Sequence, residues 1–259
     1  MKISSAEYAG LNSLVKHANR TAYIEWATAH YEHSIQESHM IAYGNLDRLN
    51  TDPSKYNAFV SRKDESGAFI PDIEREYYSV RSCMSPPPVA YGPVTNMNIA
   101  TLGQNGALVD ALLELRNETL TTAVKPFQAV PAEEHQQFHL DNPQGVEYPH
   151  SFFYYPVRRV ANDVDSEIVA SINVAHAWDV SMRKLLPETV NGIYCVLRNN
   201  CDQVFSFVID GHDVIYLGEE DAHDDKYDDM ELEVLLTPST HPDFAKVPGH
   251  CIFTMVSGR

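Results

Sequence analysis

Four groups of residues in this sequence could do chemistry. His135 and His139 stand four apart, the spacing that stacks two imidazoles on one helix face and suits a metal ion. They lie in EEHQQFHLDNPQG, which reads as loop with no third ligand close in sequence, so a solvated loop is the expectation and no metal site is assigned. The densest acidic run, EEDAHDDKYDD at 219–229, could hold a divalent cation beside His223 and serve a hydrolase or lyase. It lacks the alternating ligands and central glycine of an EF-hand, which favours a solvated loop. The strand-like SFFYYPVRRV offers Tyr154, Tyr155 and Arg158 as the lining of a small-molecule pocket. Alternation puts Tyr154, Pro156 and Arg158 on one face and Tyr155, Val157 and Arg159 on the other. Whichever arginine turns inward presents a fork of donors to a carboxylate or carbonyl; structural pairing or plain exposure is the commoner fate. Last come the cysteines: Cys83, Cys195, Cys201 and Cys251, without a CxxC pair. Cys201 and Cys251 would staple the last strands together in an oxidising compartment and remain thiols in a reducing one. Cys195, mid-strand, reads as a small core residue.

Other chemistries lose ground by what is missing. There is no phosphate-binding GxxxxGK[ST], no GxGxxG after a strand, no GxSxG elbow and no HExxH. No catalytic residue and no cofactor are assigned. A formal net charge of -17 repels phosphate backbones and anionic lipid, which argues against nucleic acid and polybasic membrane binding. No stretch approaches the roughly 20 apolar residues of a membrane span, and MKISSAEYAG has no signal-like apolar core. Asn19-Arg20-Thr21 and Asn117-Glu118-Thr119 are glycosylation sequons, with meaning only outside the cell.

The elements that would carry these residues follow from periodicity. Leu11, Val15, Ala18, Ala22, Trp26 and Ala29 recur at helical spacing, predicting one long helix from Ser5 to about Met40, roughly 50 Å in length. Residues 44–73 read as loop, and SPPPVAYGP at 85–93 as a rigid connector or lid. A second helix starts near Asn105 on a Leu108, Leu112, Leu115 stripe. SFFYYPVRRV and EIVASINVA are strands. A short helix, AWDVSMRKLLPE, precedes a meander at 191–218, whose turns are Asn199-Asn200 and Asp210-Gly211, the latter suited to type I′. MELEVLL and CIFTMV add two strands. The order predicts α+β with antiparallel sheets.

Several segments also resemble a known family. SPPP…NMN (85–98), PHSFFYYPVRRV, AWDVSMRKLLPETVNGIYCVL, NNCDQVFSFVIDG, LGEEDAHDDKYDDM and HPDFAKVPGHC occur in this order. Together they resemble the extracellular sensor region of receptor-type guanylate or adenylate cyclases of diatoms and related algae, over about Ser85 to Cys251. The resemblance implies a CHASE- or Cache-type module in which a long N-terminal helix carries PAS-like antiparallel sheets. It implies a stalk-like helix at 1–44, truncated at Met1, a membrane-distal sensor subdomain at 45–172 and a membrane-proximal one at 173–259. A Cys201–Cys251 bridge belongs to the family pattern, as do flanking membrane spans and a cyclase domain that this sequence does not contain. Glu219-Glu220 stand where the family tends to have glycine, and Cys83 where it has an aromatic. The expectation is a non-enzymatic ectodomain on the outer side of the plasma membrane that binds a small molecule or peptide. Its long helix would relay the signal, with the Leu11, Val15, Ala18 stripe packing on its own sheets or serving homodimerisation.

Overall fold

Residues Ala6–Lys16 (AEYAGLNSLVK) form a strand, β1, where apolar spacing predicts helix. Gly10, Asn12 and Ser13 are weak helix formers, glycine costing about 1 kcal/mol against alanine. A strand here gains a pairing partner along most of its length, so tertiary contact overrides the local pattern. The helix begins only after a 3₁₀ turn at His17–Asn19: α1 covers Arg20–Tyr43, 24 residues and about 36 Å. The long N-terminal helix is therefore not present, and Leu11 and Val15 belong to a strand rather than to a dimerising helix stripe. The structure is a computed structural model and describes residues 6–47, 59–85, 95–102, 105–115, 120–121, 125–126, 149–161, 163, 165–184, 186–222, 232–235 and 251–258.

Then follow β2 (Ser61–Lys63), β3 (Phe69–Pro71), β4 (Tyr77–Ser85), α2 (Asn105–Leu115), β5 (Leu120–Thr121) and β6 (Lys125–Pro126). The rest comprises β7 (Pro149–Arg158), β8 (Ile168–Ala177), α3 (Trp178–Met182), β9 (Ile193–Asn199), β10 (Val204–Asp210), β11 (Asp213–Gly218), β12 (Leu232–Leu235) and β13 (Phe253–Gly258). The fold class is α+β, with mostly antiparallel sheets. Two units emerge, neither contiguous in sequence: one of residues 8–118 and 154–174, the other of 1–7, 119–153 and 175–259. A cut at residue 44 falls inside the first unit, whose first segment runs from 8 to 118, whereas a cut at 172 lies close to its boundary after 174.

In the first unit, β1 lies between β4 and β8. Lys16 pairs with Tyr77, Val15 with Tyr78 and Asn12 with Arg81. Alternation from Asn12 onward puts Asn12, Leu14 and Lys16 on one face and Ser13 and Val15 on the other. On the second face, Val15, Val60, Tyr78 and Val80 are buried, with Tyr23 and Ile24 of α1 packed against them. The buried side of α1 thus runs through Tyr23, Ala27 and Tyr31, whereas Ala22, Trp26 and Ala29 of the predicted stripe face solvent. With residues 6–16 in a strand, the helix takes its phase from the sheet it covers. Arg20 fixes its start, donating to the Tyr78 hydroxyl (3.3 Å) and to the carbonyls of Val60 (3.4 Å) and Asp72 (3.3 Å).

The second unit holds an antiparallel sheet in the order β11-β10-β9-β13-β12, so the expected meander and both later strands are present. Cys195, Leu197, Phe205, Phe207, Val214 and Phe253 share one buried face with Trp178 and Met182 of α3. That helix stops at Met182, short of the predicted Glu188, because Arg183 is extended and Lys184 takes φ 61°. The β10–β11 loop is Gly211-His212, since Asp210 pairs with Asp213. Positive φ occurs at Gly211 (65°) and not at His212, which is the type II′ pattern rather than I′. A side chain at 211 would also come within 2.8 Å of the Glu188 carbonyl.

Candidate functional site

A cleft of about 580 Å³ opens in the first unit on the face of the sheet opposite α1. β1 supplies Leu14 and Lys16, the 3₁₀ turn Asn19, β4 Tyr77, α2 Leu113, and the β7–β8 hairpin Arg159, Asp165, Glu167, Ile168 and Val169. Pairing of Lys16 with Tyr77 brings the ammonium over the phenol ring, 5.9 Å from its centre. The hairpin is closed by the Arg159 amide on the Glu167 carbonyl (2.9 Å) and by the Val160 amide on the Ser166 hydroxyl (2.9 Å). Those bonds carry Arg159 and Glu167 to the cleft side by side.

Glu167 is the electrostatic centre of the rim. Arg159 donates to Oε2 through Nε (3.1 Å) and Nη2 (2.8 Å), and Lys16 Nζ stands 3.4 Å from Oε1. Hydrogen bonding from Arg159 first, then from Lys16, holds this carboxyl below the usual carboxylate range. All three side chains are about half exposed or more, so the pairs orient more than they stabilise. The apolar part of the lining comes from Leu14, Leu113, Ile168 and Val169.

Beside this cleft, on the same face of β1 and β4, lies a buried polar cluster. Arg81 donates from Nε to Asn12 Oδ1 (2.7 Å) and from Nη2 to Asn173 Oδ1 (3.1 Å), while Asn12 Nδ2 reaches Asn173 Oδ1 at 3.0 Å. Gly10 makes room for it: a Cβ there would stand 2.7 Å from Asn173 Oδ1 and 2.9 Å from Arg81 Cζ. This network ties β4, β1 and β8 together through buried side chains.

The three residues nominated from sequence do not line the cleft. Tyr154 is buried and Tyr155 is 41% exposed, on opposite faces as alternation predicts. Arg158 is turned back on its own hairpin, donating to the Ser166 carbonyl at 3.0 Å. Its neighbour Arg159 is the arginine that reaches the cleft. Lys16, Tyr77, Leu113 and Glu167 were missed, Lys16 because its strand reads as helix. Of the acidic run, Asp221 is engaged by Arg198 and Glu219 and Glu220 are exposed; residues 223–229, His135, His139 and Asn117 lie outside the described residues. Among the described residues, no group of three or more His, Cys, Asp or Glu side chains is placed to hold a metal ion.

In the second unit, Cys201 and Cys251 are joined by a disulfide, with Cα atoms 5.8 Å apart. It ties the β9–β10 turn to the start of β13, where the Asn200 carboxamide also accepts the Ile252 amide at 2.7 Å. Cys195 is a buried thiol, and burial pushes it up to about 11. Among the described residues no helix is long and apolar enough to cross a membrane. No protein-family model and no curated protein matches the chain.

Proposed function

We propose that this chain is a ligand-sensing ectodomain, the PAS-like (CHASE- or Cache-type) outer region of a receptor-type nucleotide cyclase whose catalytic domain lies elsewhere. The cleft of the first unit is the observation that carries the reading. Its apolar lining suits the body of a small molecule, and Lys16, Arg159 and Glu167 offer charge to a polar end group. The disulfide supports an oxidising, extracellular setting, since such bridges persist outside the reducing cytosol.

The path of the signal differs from a long stalk. β1 and β4 carry the cleft on one face and α1 on the other, through Val15, Tyr78 and Val80. A ligand that favours one spacing of β1 and β4 biases the seat of Tyr23 and Ile24, and through them the helix. It must prefer one arrangement, since equal affinity for both shifts nothing.

The test is a thermal-shift screen of the chain against small metabolites, because a ligand specific for the folded state raises the melting temperature by mass action. A hit should be lost in Tyr77→Ala and Arg159→Ala, with the unliganded melting temperatures nearly unchanged. A hit unaffected by either change refutes the cleft. Turnover of a bound compound by the chain alone refutes the sensor reading.

A further inference from the structure

We propose that Asn19 carries an N-linked glycan that stands at the rim of the cleft. The proposal rests on the extracellular reading above, and adds to it what kind of occupant the cleft admits. Asn19-Arg20-Thr21 is a complete acceptor triplet with no proline in its middle position. The oligosaccharide is added to the extended chain, so the folded structure decides only whether a glycan is tolerated. At Asn19 it is. The side chain is exposed, lies in the 3₁₀ turn before α1 and makes no capping hydrogen bond to that helix. Thr21 is exposed too, so nothing in the core depends on either residue. Arg20 between them points inward to Tyr78, Val60 and Asp72, which turns its two neighbours outward.

The Cys201–Cys251 bridge is the second, independent observation: the compartment that forms it is the one that holds the transferase. The step is a group transfer from a lipid-linked oligosaccharide pyrophosphate. A bond forms between Asn19 Nδ2 and the sugar's anomeric carbon while that carbon's bond to the pyrophosphate breaks. The lipid pyrophosphate leaves, and the amide proton passes to a base of the transferase. Because Asn19 also lines the cleft, the glycan occupies space that a folded protein partner would need. The cleft then admits small molecules from the open side and excludes macromolecules.

The experiment is peptide mapping of the natural protein from its source cells, with and without peptide N-glycosidase, together with a count of free thiols. Enzyme-dependent conversion of Asn19 to aspartate, on a chain with two free thiols, is the expected result. An unmodified Asn19 on a chain that does hold the disulfide overturns the glycan and leaves the sensor standing. An unmodified Asn19 on a chain with four free thiols overturns both. Secretion of Asn117→Gln variants separates sequon from fold: Thr21→Ser should keep the glycan and Thr21→Ala should lose it, at matching melting temperatures. Retention in Thr21→Ala would also overturn the assignment.

Discussion

Replacing Cys201 and Cys251 together by serine should lower the stability of the second unit by about 4 kcal/mol. The figure comes from the sequence separation of 50 residues, which the chain-entropy relation converts to roughly 4 kcal/mol at 25 °C. Native contacts at the bridge give little reason for a larger loss. The Asn200–Ile252 pairing and the Cys201 amide bond to Asn199 Oδ1 (2.9 Å) do not require the sulfurs. The effect therefore lies in the unfolded chain, which the bridge no longer restricts. For a unit of about 130 residues, 4 kcal/mol is a fall of roughly 12–15 °C in Tm. Fluorescence can be confined to that unit, because Trp178 sits in its core while Trp26 is 54% exposed on α1 of the other. A Trp26→Phe background should show one transition that moves with the double serine change. The transition of the first unit, followed by far-UV circular dichroism, should stay in place. A shift below about 1 kcal/mol, or four titratable thiols in denaturant without reductant, would refute the reasoning.

Three further outcomes test the packing. Gly211→Ala should destabilise the second unit by about 1–3 kcal/mol, since the loop needs φ 65° and the new methyl meets the Glu188 carbonyl at 2.8 Å; urea midpoints with an unchanged m-value would show it. Arg81→Met should cost roughly 3 kcal/mol by removing the donor to buried Asn12 Oδ1 and one of the donors to Asn173 Oδ1, and Arg81→Lys should not restore it, because one ammonium cannot reproduce the fork. Cys195 gives a pH signature. Its folded thiol titrates near 11, above an ordinary value of 9, so the stability held below pH 9 is lost as pH rises toward 11. The loss is on the order of 2–3 kcal/mol, and the difference between wild type and Cys195→Ala across that range should show it.

The elements that could be read correctly are those whose signal is local. The meander is legible because Asp210-Gly211 and Asn199-Asn200 punctuate three alternating runs, although Asn199 itself ends β9 and the turn begins at Asn200, and α2 because Leu108 and Leu112 recur on one stripe. Even there the turn type was not. Type I′ needs positive φ twice, and once Asp210 pairs with Asp213 the loop slips by one residue, to a glycine and a histidine. β1 failed for a different reason. Leu11 and Val15 satisfy a helical spacing and also sit on a strand, and what decides is a pairing with residues 77–85, nearly seventy positions away. Once β1 is misread, the helix that follows is assigned the wrong buried face, so Trp26 is expected inside, whereas Ala27 and Tyr31 are the buried residues.

The site was out of reach for the same physical reason. Its rim joins Lys16, Tyr77 and a hairpin at 159–167, three points in sequence with no spacing rule between them. Of the two neighbouring arginines, Arg159 lines the cleft and Arg158 does not. Alternation states that two neighbouring arginines face opposite ways, and it is silent on which way faces the cleft. That choice is made by the hairpin, whose Ser166 carbonyl holds Arg158 and whose Glu167 holds Arg159. Exchanging the two roles is therefore a direct check. Arg159→Ala should remove the restraint on Glu167, raise its pKa toward the ordinary carboxylate value and weaken any cleft ligand, whereas Arg158→Ala should leave that titration where it is. A Glu167 side-chain carboxyl NMR signal that titrates identically in both variants would show that the hairpin, and not the pair, sets the rim.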